Sequence, residues 1–173
     1  MTAFPSDSSE RDLGAVLVAA LIGIGGSDRG LVPFALGWAT VDLERAERAF
    51  AQATGVPDGT FGEATDGPDD LLLGARCRIV RPRDPRMPIV VLLEPATEGR
   101  LAAALARHGE GPAAAWLRAL PTAATASLEG MATAPPRSAG SPGPFGLESL
   151  LSDGPSGGPH RLLVTPPPGT ITP

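Results

Sequence analysis

At 173 residues, with 42% hydrophobic and 19% charged side chains, the chain can bury a real core and amounts to one domain or two small fused modules. Its 14 basic and 19 acidic residues leave a net charge of -5, and no basic stripe interleaved with aromatics is present, which argues against a nucleic-acid surface. The lone Cys77 excludes an internal disulfide and a cysteine-based zinc cluster, which suits a cytoplasmic protein.

Aromatic residues make up only 4% of the chain and Tyr is absent, so an aliphatic, Ala-rich core is expected. Residues 1–12 read as a polar arm. The apolar run 13–24 (LGAVLVAALIGI) is shorter than the ~20 residues a bilayer span needs, and no membrane segment is expected from it. Residues 23–28 (GIGGSD) carry Asp28 where a dinucleotide fingerprint needs Gly, and are read as a plain turn. Residues 31–41 (LVPFALGWATV) suit a buried strand, after which Asp42 caps a helix over 43–54 with Leu43, Ala46, Ala49, Phe50 and Ala53 on one face. A weak strand is expected at 60–64, followed by the acidic turn 66–70 and a strand at 71–81. In that strand Arg76 and Arg78 share one face and Ala75, Cys77 and Ile79 the other.

Residues 88–94 form the next strand, and Thr97 is placed to cap a helix running to His108. A strand over 113–120 (AAAWLRAL), a weak Ala-rich helix at 122–131, a short apolar segment at 145–151 and a last strand at 160–165 complete the pattern. The 22 Gly and 20 Pro crowd the last forty residues and mark long loops there.

Among groups with chemical potential, His160 at the start of the last strand is a candidate general base, against a loop-anchoring role. Arg76 and Arg78 can clamp a carboxylate or phosphate if their face is inward, and otherwise form a solvated pair. Glu94 is a candidate base or a turn acceptor, His108 a helix-terminal cation, and Cys77 a small buried hydrophobe. No Ser/His/Asp or Cys/His triad spacing occurs.

The stretch 90–99 (VVLLEPATEG), continued by 107–112 (RHGEGP), resembles the join between the two halves of a vicinal oxygen chelate (glyoxalase-like) protein, nearest the methylmalonyl-CoA epimerase branch. The resemblance implies an α+β fold in which paired β-α-β-β-β modules form a cupped, half-open β-barrel. It divides the chain into an arm and apolar segment (1–30), a first module (31–96), a joining helix (97–111) and a degenerate second module (112–173). Such proteins place four metal ligands on cup-facing strand positions. Those positions correspond here to Ala35, Val91, Ala114 and, at the chain end, Thr172-Pro173.

Ala and Val offer no lone pair, so the resemblance implies the scaffold without a metal or other cofactor. It also implies a cup lined by Ala35, Gly37, Val91, Leu93, Ala114 and Trp116, suited to an apolar or aromatic small molecule, and a homodimer. Three functions follow as expectations. The first is small-molecule binding in a metal-free cup, with no nucleic-acid or membrane partner. The second is a metal-independent isomerase or lyase acting on an acyl or carbonyl substrate. The third is a structural protein whose cup is filled. Whether the chain is an enzyme stays open at this point.

Overall fold

The computed structural model describes residues 30–53, 61–82, 88–119, 140–152 and 159–165. The arm, the apolar run, the Gly-rich turn at 23–28, the Ala-rich helix at 122–131 and the chain end at 172–173 lie outside the described residues.

Within them the order is β1 (Leu31–Ala39), α1 (Leu43–Ala53), β2 (Phe61–Asp70), β3 (Ala75–Pro82), β4 (Ile89–Pro95), α2 (Arg100–His108), β5 (Gly111–Ala119), β6 (Ser141–Gly143), β7 (Gly146–Ser152) and β8 (His160–Thr165). Helix α1 begins as its sequence requires, with Asp42 Oδ1 accepting the Arg45 N–H at 2.9 Å. Helix α2 differs from expectation. It starts at Arg100 behind Gly99 with no side-chain cap, because Thr97 packs against the close-lying Gly74.

Strand β2 is longer than the sequence suggests, and runs through the acidic stretch to Asp70. Two interactions keep those acids in an extended strand. Asp66 pairs with Arg78 across the β2–β3 ladder, and Asp70 turns inward to accept the Leu73 N–H at 2.9 Å. The turn is therefore Leu71–Gly74, with Gly74 at φ 69, and β3 begins only at Ala75. The apolar segment at 145–151 becomes strand β7, paired with the short β6 and with β8.

All strands join one mixed sheet in the order β2-β3-β4-β1-β5-β8-β7-β6. β1 runs parallel to β4 and β5 parallel to β8, while β1 and β5 pair antiparallel at the centre. The sheet curls until its two edges meet, where Leu71 N–H donates to Pro142 O at 3.3 Å.

Alternation along the strands sends side chains to two layers. Leu36, Val80, Val90, Leu92, Ala115 and Leu117 face outward, where Leu43, Ala46 and Phe50 of α1 cover them. Ala35, Cys77, Val91, Leu93, Ala114, Trp116 and Leu162 face the concave side, with Leu101 of α2 packed among them. Glu110 fastens the β1–α1 turn to the α2–β5 turn: it accepts from Thr40 Oγ1 and Val41 N–H, each at 2.8 Å, and pairs with Arg45.

The centre of the cup is filled tightly. A Cβ on Gly37 would lie 2.6 Å from Leu93 Cδ1, 2.8 Å from Ala114 Cβ and 3.0 Å from Trp116 Cζ3. Gly37→Ala should therefore overpack the cup and lower stability by about 1–3 kcal/mol. Urea unfolding checks this through the midpoint at constant slope, and an unshifted midpoint would show that the cup has slack at this point.

Candidate active site

The register reveals an internal twofold relation. Ala35 pairs with Trp116 and Gly37 with Ala114, so a rotation between β1 and β5 exchanges Ala35 with Ala114 and Gly37 with Trp116. Val91 pairs with Gly37, and Leu162 with Trp116, so Val91 and Leu162 are matched as well. Cys77 lies opposite Leu93, and Glu148 opposite Val164, which by the same operation matches Cys77 on β3 with Glu148 on β7.

The counterpart of Val91 under this operation is Leu162 on β8, which lies at His160–Thr165 beside β5, while Thr172-Pro173 lies outside the described residues. Ala35, Val91, Ala114 and Leu162 are all fully buried and apolar. None can coordinate an ion, and among the described residues no three His, Cys, Asp or Glu side chains are arranged to hold one.

Polar chemistry in the cup comes from elsewhere. Glu148 is fully buried, its Oε2 accepting the Trp116 Nε1–H at 2.8 Å and its Oε1 the Phe145 N–H at 3.2 Å. Gly143 on the neighbouring strand has no side chain because the Glu148 carboxyl occupies the space a Cβ would need. Asp70, also buried, takes the Leu73 N–H on Oδ1, whereas its Oδ2 has no hydrogen-bond donor. The buried His160 stands opposite Ala114, and its charge acts on Asp70.

Burial, and next the adjacent Asp70 charge, push the Glu148 carboxyl up to about 8, against the pull of the Trp116 and Phe145 N–H groups. Asp70 is also raised, mainly by burial, with the Leu73 N–H and Glu148 opposing. Burial therefore favours the protonated form at both carboxyls, and the Asp70 charge adds to it at Glu148. Cys77 is driven up to about 12, by burial first and then by the Asp70 charge, and is an unreactive thiol.

The sequence-derived candidates separate cleanly. Ala35, Gly37, Val91, Leu93, Ala114 and Trp116 all reach the concave side, as does His160. Arg76, Arg78 and Glu94 do not. Arg76 pairs with Glu94, and Arg78 with Glu47 of α1 and with Asp66, all on the outer face opposite Cys77. Strand parity decides this: once Cys77 and Leu93 point inward, their neighbours point outward. Asp70 and Glu148 escaped notice in the sequence. Glu148 had a signal, a single acid inside an apolar strand segment, whereas Asp70 was concealed in an acidic run that looks solvated.

At the sequence level no family model and no curated protein matches. Solved structures do. Methylmalonyl-CoA epimerase from Mycobacterium tuberculosis superposes with a TM-score of 0.60 at 19% identity, over 79% of this chain and 88% of that one. A variant of the Streptomyces coelicolor methylmalonyl-CoA epimerase, in complex with 2-nitronate-propionyl-CoA, gives 0.56 at 20% identity, over 78% and 96%. A further methylmalonyl-CoA epimerase gives 0.58 at 17%, over 82% and 99%. These epimerases belong to the vicinal oxygen chelate superfamily. The chain has the vicinal oxygen chelate fold. Identity of this order carries the architecture, and the chemistry of this vicinal oxygen chelate cup is read from its own residues.

The raised Glu148 sets a pH dependence. The folded chain holds a proton between the ordinary glutamate value of 4.5 and about 8 that the unfolded chain has released. Stability is therefore greatest below that window and falls as pH rises through it. The melting temperature should decline from pH ~5 to pH ~8, and Glu148→Gln should flatten the decline. A wild-type profile that is level across this range, or parallel to that of the variant, would contradict the assignment.

Proposed function

We propose that this chain is a metal-independent protein of isomerase or lyase type, which moves a proton on a small carbonyl or acyl compound held in the cup. The supporting observation is the buried Trp116–Glu148 hydrogen bond with the Asp70 charge beside it. In a vicinal oxygen chelate cup a divalent ion polarises the substrate oxygen. Ala35, Val91, Ala114 and Leu162 give such an ion nothing to bind, which supports an organic polarising group.

Glu148 supplies it in protonated form. A carboxylic acid whose proton is retained near neutral pH can donate to a carbonyl oxygen, as perturbed carboxyls do in other acid–base sites. Asp70, the ionised member of the pair, then accepts the proton from the neighbouring carbon and can return it. Trp116 keeps the Glu148 carboxyl oriented, and Ala35, Val91, Leu93 and Ala114 pack behind them as an apolar backing. The similar epimerases are described with methylmalonyl-CoA and with 2-nitronate-propionyl-CoA, which makes a thioester bearing hydrogens on its α-carbon a sound first probe.

One observation favours a second, non-catalytic reading. The tight approach of Trp116 to Gly37 fits a cup occupied by its own side chains. Exchange separates the two. With the protein freed of metal by EDTA, the α-protons of the N-acetylcysteamine thioester of propionate should wash out in D2O, followed by NMR. Glu148→Gln and Asp70→Asn should each slow the exchange by about 100-fold or more. No exchange with wild-type protein, or exchange unchanged in both variants, removes the catalytic reading. Activity that EDTA abolishes and a divalent ion restores removes metal independence.

A further inference from the structure

The inner end of the cup is joined to solvent by a continuous line of side chains. Glu148 receives the Trp116 N–H at 2.8 Å. Trp116 meets Phe145 edge-on with centroids 5.4 Å apart, and Phe145 meets Phe34 in the same manner at 5.1 Å. The Arg118 guanidinium stands over the Phe34 ring, 5.6 Å from its centroid. Burial falls steadily along this line: Glu148 and Trp116 are fully buried, Phe145 and Phe34 half-buried, and Arg118 exposed.

The backbone explains why these residues assemble. Arg118 follows Trp116 by two along β5 and so projects from the same, concave face. Phe34 sits in the irregular step of the β1–β5 ladder between Pro33 and Ala35, and packs with the inner cluster. Phe145 lies in the turn between β6 and β7, whose Gly146 takes φ 123. Three separate segments of chain thus bring a line of packed aromatic rings and one cation together.

From this geometry we infer that Arg118, Phe34 and Phe145 form the mouth of the cup, and that its ligand is an amphipathic organic anion. The anionic head stays at Arg118, an apolar body lies along Phe34 and Phe145, and an uncharged end reaches Trp116 and Glu148. Charge placement supports this orientation. The inner end already holds Asp70 and Glu148, so a second anion buried there would meet repulsion with little solvent to screen it. Among the described residues Arg118 makes no ion pair, so its planar fork of donors is available to a carboxylate, sulfonate or phosphate. The inference rests on reading the Trp116–Glu148 end as the inner part of a ligand site. It adds the charge of the ligand and the direction in which it lies.

A series of probes with one body and three charges tests it: 4-phenylbutyrate, 4-phenylbutanol and 4-phenylbutylamine, with affinities from ligand-observed NMR titration. Wild-type protein should bind the carboxylate about 10-fold more tightly than the alcohol, and the amine most weakly. Arg118→Ala should bring carboxylate and alcohol to within about 2-fold, Arg118→Lys should restore part of the preference, and Arg118→Glu should reverse the order. Equal affinity for all three probes, no binding of any of them, or a carboxylate preference that survives Arg118→Ala overturns the inference. Binding does not require turnover, so a charge order that depends on Arg118, found together with absent α-proton exchange, would retain the mouth while removing the catalytic reading.

Discussion

The hydrogen bond from the Trp116 indole to the Glu148 carboxyl organises the interior of the cup. Trp116 is the largest fully buried side chain, and a buried indole N–H without an acceptor is costly. Glu148 is fully buried too, and a carboxyl without donors would be costlier still. Each group makes the other tolerable. Their surroundings are shaped to admit them, since Gly37 leaves room for the indole and Gly143 for the carboxyl. The high proton affinity of Glu148 follows from the same enclosure, because two N–H donors do not replace the water that a carboxylate loses.

The twofold relation gives this arrangement its meaning. β3 and β7 hold matched places, yet one presents Cys77 and the other Glu148. Ala35, Val91, Ala114 and Leu162, matched in pairs between the halves, are small or aliphatic and pack as core. The buried carboxyls of Glu148 and Asp70 belong to a strand of the second half and to the end of β2, near where the sheet closes.

Much of this was legible in the sequence. The apolar run LVPFALGWA, the Asp42 cap and the apolar stripe of α1 marked the first half, because local composition and local hydrogen bonding are written in neighbouring residues. The set from Ala35 to Trp116 was implied by the family resemblance, and these residues lie on the concave side. What sequence reading could not supply was long-range pairing. Asp70 looked like one more acid in a solvated turn, and only the Leu73 amide and the closure against β6 draw it inside. Arg76 and Arg78 were ambiguous for a related reason: parity shows that they share a face, but not which face carries α1. Glu94 went outward with them. The extent of β2 was missed because charge pairing between Asp66 and Arg78 overrides the weak strand propensity of Asp and Gly.

The place where the sheet closes has a consequence of its own. Its edges are β2 and the three-residue β6, and among the described residues one backbone bond, Leu71 to Pro142, joins them across the gap. Every other boundary between adjacent strands is a ladder of several bonds, and ladders separate less readily than single links. Parting this hem would uncover Asp70 on one lip and the neighbourhood of Glu148 on the other, while the central β1–β5 spine stayed whole. The two buried carboxyls therefore lie near the line where the sheet is held by the fewest backbone bonds.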